Sequence, residues 1–213
     1  MKQRVALTIA GFDPSGGAGV LADARTFGAF GFDVAVAITS LTFQNERTFF
    51  GAAHQTAETV RAQVEPLLQI DRIVCAKTGM LPTREVVIEV ARLFREAKLP
   101  APVVDPVMMS SSGHRLMDEE AVAVMVSELF PVCRVVTPNI PEAERLTGLT
   151  INSEAEMREA AVQIRKLGVR AVLVKGGHLG QEGGSGRQEA GGRRQEAGSR
   201  GQDAEGGELR EQS

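Results

Sequence analysis

Short β-branched runs alternate along the chain with longer stretches in which apolar residues recur every three to four positions. The runs are VALTIAG, DVAVAIT, RIVCAKTG, APVVDPV, CRVVTPN and RAVLVKGG. Strand-like runs separated by helix-like spacing predict a parallel sheet covered by helices on both faces, an α/β fold. Two helices can be bounded from their ends. TREVVIEVARLFREA, residues 83 to 97, starts at Thr83 as N-cap and places Val87, Val90, Ala91 and Phe94 along one face. SEAEMREAAVQIRKL, residues 153 to 167, opens with Ser153 and Glu156 at capping-box spacing and stops at Gly168.

The alternation stops after Lys175. From Gly180 the sequence reads QEGGSGR, QEAGGRR, QEAGSRG, QDAEGGE, an imperfect seven-residue repeat whose one large aliphatic residue is Leu209. Glycine recurs in every unit and there is no apolar seam for a coiled coil. Such a segment cannot bury enough surface to offset its ordering entropy. The expectation is one domain over residues 1–179 and a disordered tail over 180–213.

Composition narrows the function classes. A net charge of −3 and the lack of a basic stripe argue against nucleic acid as partner. The basic, apolar N-terminus runs straight into Asp13 and a glycine turn, so it reads as a first core strand rather than a leader. No stretch has the ~18 to 20 apolar residues of a membrane helix, which makes the cytoplasm the expected location. Cys75 and Cys133 lie in apolar runs and read as buried thiols. His54, His114 and His178 have no partners at helical spacing, so no protein-built metal cage is expected.

Candidate chemistry gathers at the ends of the predicted strands. GFDPSGGAG, residues 11 to 19, follows the first strand and opens a helix, but it lacks the Gly-Lys-Ser/Thr of a Walker loop and the third glycine of a dinucleotide fingerprint. Taken alone it reads as a tight turn that needs glycine. Later strands end in Asp105, in Asn139 and Glu142, and in Lys175. Carboxylates that hold hydrated Mg²⁺, an amide, and a lysine that spreads phosphate charge are the groups phosphoryl transfer requires.

The phrases TIAGFDPSGGAG, AKTGML, DPVMMSSSG, TPNIPEAERL and VKGGH, in this order, resemble the phosphomethylpyrimidine kinases of the ribokinase-like superfamily over residues 1 to about 179. The resemblance implies a three-layer α/β/α sandwich with a mostly parallel sheet. It also implies ATP-dependent phosphorylation of 4-amino-5-hydroxymethyl-2-methylpyrimidine and its monophosphate in thiamin biosynthesis, with Mg²⁺ as cofactor and a homodimer as the usual assembly. In such kinases Gln44 reads the aminopyrimidine, a role that suits a primary amide able to donate and accept in one plane. By similarity Asp23 also binds the pyrimidine, and Gly11, Met80 and Val107 shape the walls. Lys175 neutralises the transferring phosphoryl group, with Gly176 and Gly177 allowing close approach. Asn139 and Asp105 serve the nucleotide, and Glu142 serves the metal.

The family pattern continues past VKGGH to a Gly-Thr-Gly-Cys phrase whose helix N-terminus forms an anion hole and whose cysteine sits at the catalytic base position. That phrase does not occur in this sequence; Gly184-Ser185-Gly186 is followed by Arg187 inside the repeat. The reading is therefore of a chain truncated relative to its family, with a sheet incomplete at its C-terminal edge. Two alternatives stay open: a non-catalytic relative that at most binds the pyrimidine, and a pyridoxal-type kinase.

Overall fold

The structure is a computed structural model that describes residues 4–69, 72–97, 99–110 and 113–177. The repeat segment and His178 lie outside the described residues. Seven strands form one sheet: β1 (Val5–Phe12), β2 (Asp33–Gln44), β3 (Phe49–His54), β4 (Ile73–Thr78), β5 (Val103–Val104), β6 (Val135–Val136) and β7 (Ala171–Val172), in the order β3-β2-β1-β4-β5-β6-β7. All neighbours are parallel except β2 and β3.

β1 is an interior strand between β2 and β4, and its residues Val5 to Gly11 are buried on both faces, as its apolar run dictates. Val5, Leu7 and Ile9 enter a core cluster with Val60 and Val64 of α2 (Ala57–Val64) and with Val86, Val87 and Val90 of α3 (Arg84–Glu96). Thr8 faces the other way, toward Asp23 of α1 (Gly19–Ala29). The sheet is thus covered on both sides, in the three-layer arrangement the strand and helix alternation implies.

The bounded helices form as their ends specify. Thr83 caps α3 by accepting the Val86 N–H, and Val87, Val90, Ala91 and Phe94 are all buried. Each fully buried aliphatic side chain of that face contributes about 1.5–3 kcal/mol. Ser153 caps α6 (Glu154–Arg165) through the Glu156 N–H. The Glu156 carboxylate takes the Asn152 N–H at 2.7 Å and the Ser153 hydroxyl at 2.9 Å, one residue earlier than the expected reciprocal bond to the N-cap N–H.

β3 has no counterpart among the runs read from the sequence. Asn45 turns β2 back on itself: its side-chain oxygen accepts the N–H groups of Arg47 and Thr48, both at 2.9 Å, and β3 then pairs antiparallel at the sheet edge. Because β2 lies on one side of β1 and β4 on the other, the chain changes winding direction at the carboxyl end of β1. In open α/β sheets that switch point is where ligands bind.

Candidate active site

The glycine-rich segment after β1 is held by Asp13. This carboxylate is 4% exposed and accepts the Ser15 N–H at 2.9 Å, the Ser15 hydroxyl at 2.7 Å and the Ala18 N–H at 3.0 Å. Burial alone raises its pKa, but these bonds and one from the Gln44 side chain outweigh it and hold the carboxyl below its usual range. The backbone reason for glycine is sharpest at Gly19, where φ is +59° and a Cβ would lie 2.1 Å from the Gly11 carbonyl oxygen. The tight turn and the site are therefore one feature.

Between the ends of β1, β2, β4 and β5 lies a cleft of about 170 Å³ lined by Gly11, Gln44, Met80, Asp105 and Val107, together with Lys77. A Cβ on Gly11 would sit 3.2 Å from the Met80 sulfur, so the missing side chain exposes the thioether as part of the cleft wall. Gln44 lines the cleft beside Asp13, and its primary amide can donate and accept in one plane. A wider basin of about 470 Å³ shares Asp13, Ala18, Gln44 and Ser110 with the cleft and adds Arg25, Arg47 and Phe49.

Asp23 is placed differently from the other expected substrate residues. It is not among the lining residues of the cleft; its carboxylate accepts from Thr8 Oγ1 at 2.6 Å and from Lys77 Nζ at 2.8 and 3.0 Å. Lys77 and Asp13 line the cleft but were not singled out as site residues from the sequence. For Lys77 the available signal is a cation inside an otherwise apolar strand, RIVCAKTG.

The four strand-end residues meet on the Asp105 side of the cleft. Lys175 bridges to Asn139, its N–H bonding the Pro138 carbonyl at 2.8 Å, and its Nζ donates to Asp105 Oδ1 at 2.7 Å. Asn139 and Glu142 form a reciprocal capping box on α5 (Ile140–Thr147): the Asn139 side chain accepts the Glu142 N–H, and Glu142 accepts the Asn139 N–H, both at 2.8 Å. Glu142 is 4% exposed, and burial pushes its pKa up against the pull of the Asn139 N–H and the Lys175 charge; the Asp105 charge adds to the rise. The two residues thus build the helix end as well as facing the cluster. A Cβ on Gly176 would lie 2.9 Å from the Met157 methyl, so a side chain there would displace the end of that flexible methionine.

A family model for phosphomethylpyrimidine kinase matches residues 13–190, running past the expected domain boundary into the repeat segment. The chain belongs to the phosphomethylpyrimidine kinase family. It is 42% identical over 173 residues to the hydroxymethylpyrimidine/phosphomethylpyrimidine kinase of Bacillus subtilis, a match covering 81% of this chain and 64% of that protein. It is 43% identical over 173 residues to a thiamine biosynthesis bifunctional protein of Geobacter sulfurreducens, covering 81% of this chain and 35% of that protein. The crystal structure of a phosphomethylpyrimidine kinase from Clostridium difficile superimposes with a TM-score of 0.77 at 37% identity, covering 84% of this chain and 77% of that one. A Staphylococcus aureus pyridoxal kinase in complex with ADP gives 0.75 at 33% identity, covering 84% and 65%. The ribokinase-like fold implied by the sequence phrases is thereby established. The chain spans about two thirds of the length of the Bacillus relative and about a third of the bifunctional one.

Proposed function

We propose that this chain carries the substrate cleft and the phosphate-facing residues of an ATP-dependent kinase for hydroxymethylpyrimidine and its monophosphate in thiamin biosynthesis. The observation that carries the reading is that Gln44 lines the same small cleft as Asp105, whose carboxylate pairs with Lys175. An aminopyrimidine offers an amino donor beside a ring-nitrogen acceptor, which matches the oxygen and N–H of the Gln44 amide. Gly11, Met80 and Val107 supply flat and apolar contact for the ring, and Asp23 serves the site from behind the cleft.

In the reaction the substrate oxygen, the hydroxyl of hydroxymethylpyrimidine or a phosphate oxygen of its monophosphate, forms a bond to the γ-phosphorus, the bond from that phosphorus to the bridging oxygen of ADP breaks, and the hydroxyl proton, where there is one, passes to solvent water. Lys175, 44% exposed in its side chain, is placed to spread the negative charge of the transferring group. Mg²⁺ fits the cluster as a hydrated ion: Asp105 and Glu142 each keep lone pairs beyond the bonds to Lys175 and Asn139, and Asn139 adds an amide. When bound, the ion supplies charge neutralisation for the nucleotide phosphates. The 213-residue sequence contains no Gly-Thr-Gly-Cys phrase.

No helix among the described residues is long and apolar enough to cross a membrane, and a cytoplasmic location is part of this proposal. Exposed Leu41, Phe43 and Phe50 on β2 and β3 support a homodimer, which sedimentation would detect. The pyridoxal-kinase reading draws on the likeness to the Staphylococcus aureus enzyme. The test is incubation of the purified chain with Mg²⁺-ATP and hydroxymethylpyrimidine, its monophosphate, or pyridoxal, with products read by mass spectrometry beside a Lys175→Ala control. Phosphorylated pyrimidine that disappears in the control supports the proposal. Phosphorylated pyridoxal alone supports the second reading, and no product from a folded chain rejects both for this chain.

A further inference from the structure

We infer that Lys77 is a substrate-contacting residue of this cleft and that Asp23 acts through it, as a positioning residue. This rests on the pyrimidine reading of the same cleft.

Lys77 stands beside Thr8 in the β1–β4 register, and Asp23 reaches both from α1. The Asp23 carboxylate receives three hydrogen bonds of 2.6, 2.8 and 3.0 Å, which hold the ammonium in one place. An ammonium has three N–H groups and both contacts from Nζ go to this one carboxylate, so a further donor remains. Among the described residues no other acceptor takes it. Lys77 is also a lining residue of the cleft, with its side chain 23% exposed.

Gly79 lies beside that donor, and Gly11 leaves the cleft wall at Met80 uncrowded. A Cβ on Gly79 would lie 3.5 Å from Lys77 Nζ and 2.9 Å from the Ala10 methyl, and a Cβ on Gly11 would crowd Met80. Gln44 on β2 and Lys77 on β4 therefore flank β1 across an open floor. With Gln44 engaging the amino group and the adjacent ring nitrogen, the acceptor left for Lys77 is the second ring nitrogen, para to the amino-bearing carbon. The charge of Lys77 is balanced by Asp23, so the site presents a donor without attracting anions, which suits a neutral ring. A part-buried ion pair is weak as a source of stability, and orienting a donor gives this one a use.

The test is calorimetric titration of the full chain with 4-amino-5-hydroxymethyl-2-methylpyrimidine and with the analogue in which that nitrogen is C–H. Because Lys77→Met alone strands the Asp23 charge, the comparison variant is the double change Asp23→Asn with Lys77→Met. The wild type is expected to prefer the parent compound by about 10- to 100-fold, the loss typical of a charged donor left unpaired. The double variant should bind both with a ratio near one. The ¹⁵N resonance of Lys77 Nζ in the unaltered protein gives a second readout, expected to shift with the parent and not with the analogue. Equal affinities in the wild type, an unchanged preference in the double variant, or a Nζ resonance blind to the parent would each overturn the inference while leaving the pyrimidine reading standing. Failure of the wild type to bind the parent at all would overturn both.

Discussion

Replacing Glu142 separates its role in the helix end from its role in the cluster. Glu142→Gln retains an oxygen for the Asn139 N–H, so the capping box survives while a charge in a 4% exposed position is removed. Glu142→Ala removes the acceptor and leaves a part-buried N–H without a partner, at a cost of about 1–3 kcal/mol. For a domain of this size that is a fall in Tm of about 2–4 °C per kcal/mol, whereas the glutamine variant should stay within about 0.5 kcal/mol of wild type near neutral pH. The pH dependence carries a sign. Burial raises the folded-state pKa of Glu142, so the folded protein keeps this proton to higher pH than the unfolded chain. Wild-type stability measured relative to Glu142→Gln is therefore highest below the ordinary glutamate pKa, falls as pH rises through the raised value, and is flat beyond it. Urea unfolding followed by circular dichroism is the assay, since the chain has neither Trp nor Tyr. If glutamine destabilises as much as alanine, or if relative stability climbs with pH over that window, the desolvation argument is refuted. Both variants should weaken Mg²⁺-dependent nucleotide binding alike, because neither restores the carboxylate.

The turn after β1 gives a paired prediction. Gly19→Ala should unfold the turn or cost more than about 3 kcal/mol, from positive φ and contact with the Gly11 carbonyl, whereas Gly28→Ala, in α1 with open space around it, should stabilise by about 0.5–1 kcal/mol in thermal melts. Asp13→Asn should cost about 1–3 kcal/mol at neutral pH, because its amide can satisfy only part of the Ser15, Ala18 and Gln44 donor set. With the Asp13 pKa lowered, its contribution is present above the ordinary aspartate value and is lost as pH falls through the folded value, so wild type and variant should converge in acid denaturation series. Burial pushes the Cys133 thiol up to about 12, so it should resist an aromatic disulfide reagent at pH 8 until denaturant is added; rapid labelling of the folded protein would contradict its placement.

The parallel strands and the two capped helices could be read from the sequence because each rests on local pattern; Asp105, Asn139, Glu142 and Lys175 could be placed at strand ends, and the sheet order brings them together. β1 declares itself by its apolar run, and α3 by its Thr83 cap and the 3.6 spacing of Val87, Val90 and Phe94. β3 could not be read this way. It is an edge strand interrupted by Gly51 with no alternation of burial, and its existence depends on Asn45 bonding two backbone N–H groups at the turn. The placement of Asp23 was equally hidden, since its pairing with Lys77 joins residues fifty-four positions apart. Composition shows that Glu142 can bind a metal, but only packing shows that it is buried and already capping a helix.

Methyl NMR of the methionines tests most directly whether the aminopyrimidine enters the cleft between Gln44 and Met80. Met80 and Met109 line the cleft, Met157 lies beside Gly176, and Met125 is buried in the core. Titration with hydroxymethylpyrimidine should shift Met80 and Met109 and leave Met125 and Met157 in place, with Met157 responding only when Mg²⁺-ATP is added. Saturating pyrimidine with no movement of Met80, or a response confined to Met157, would contradict the placement of the substrate site.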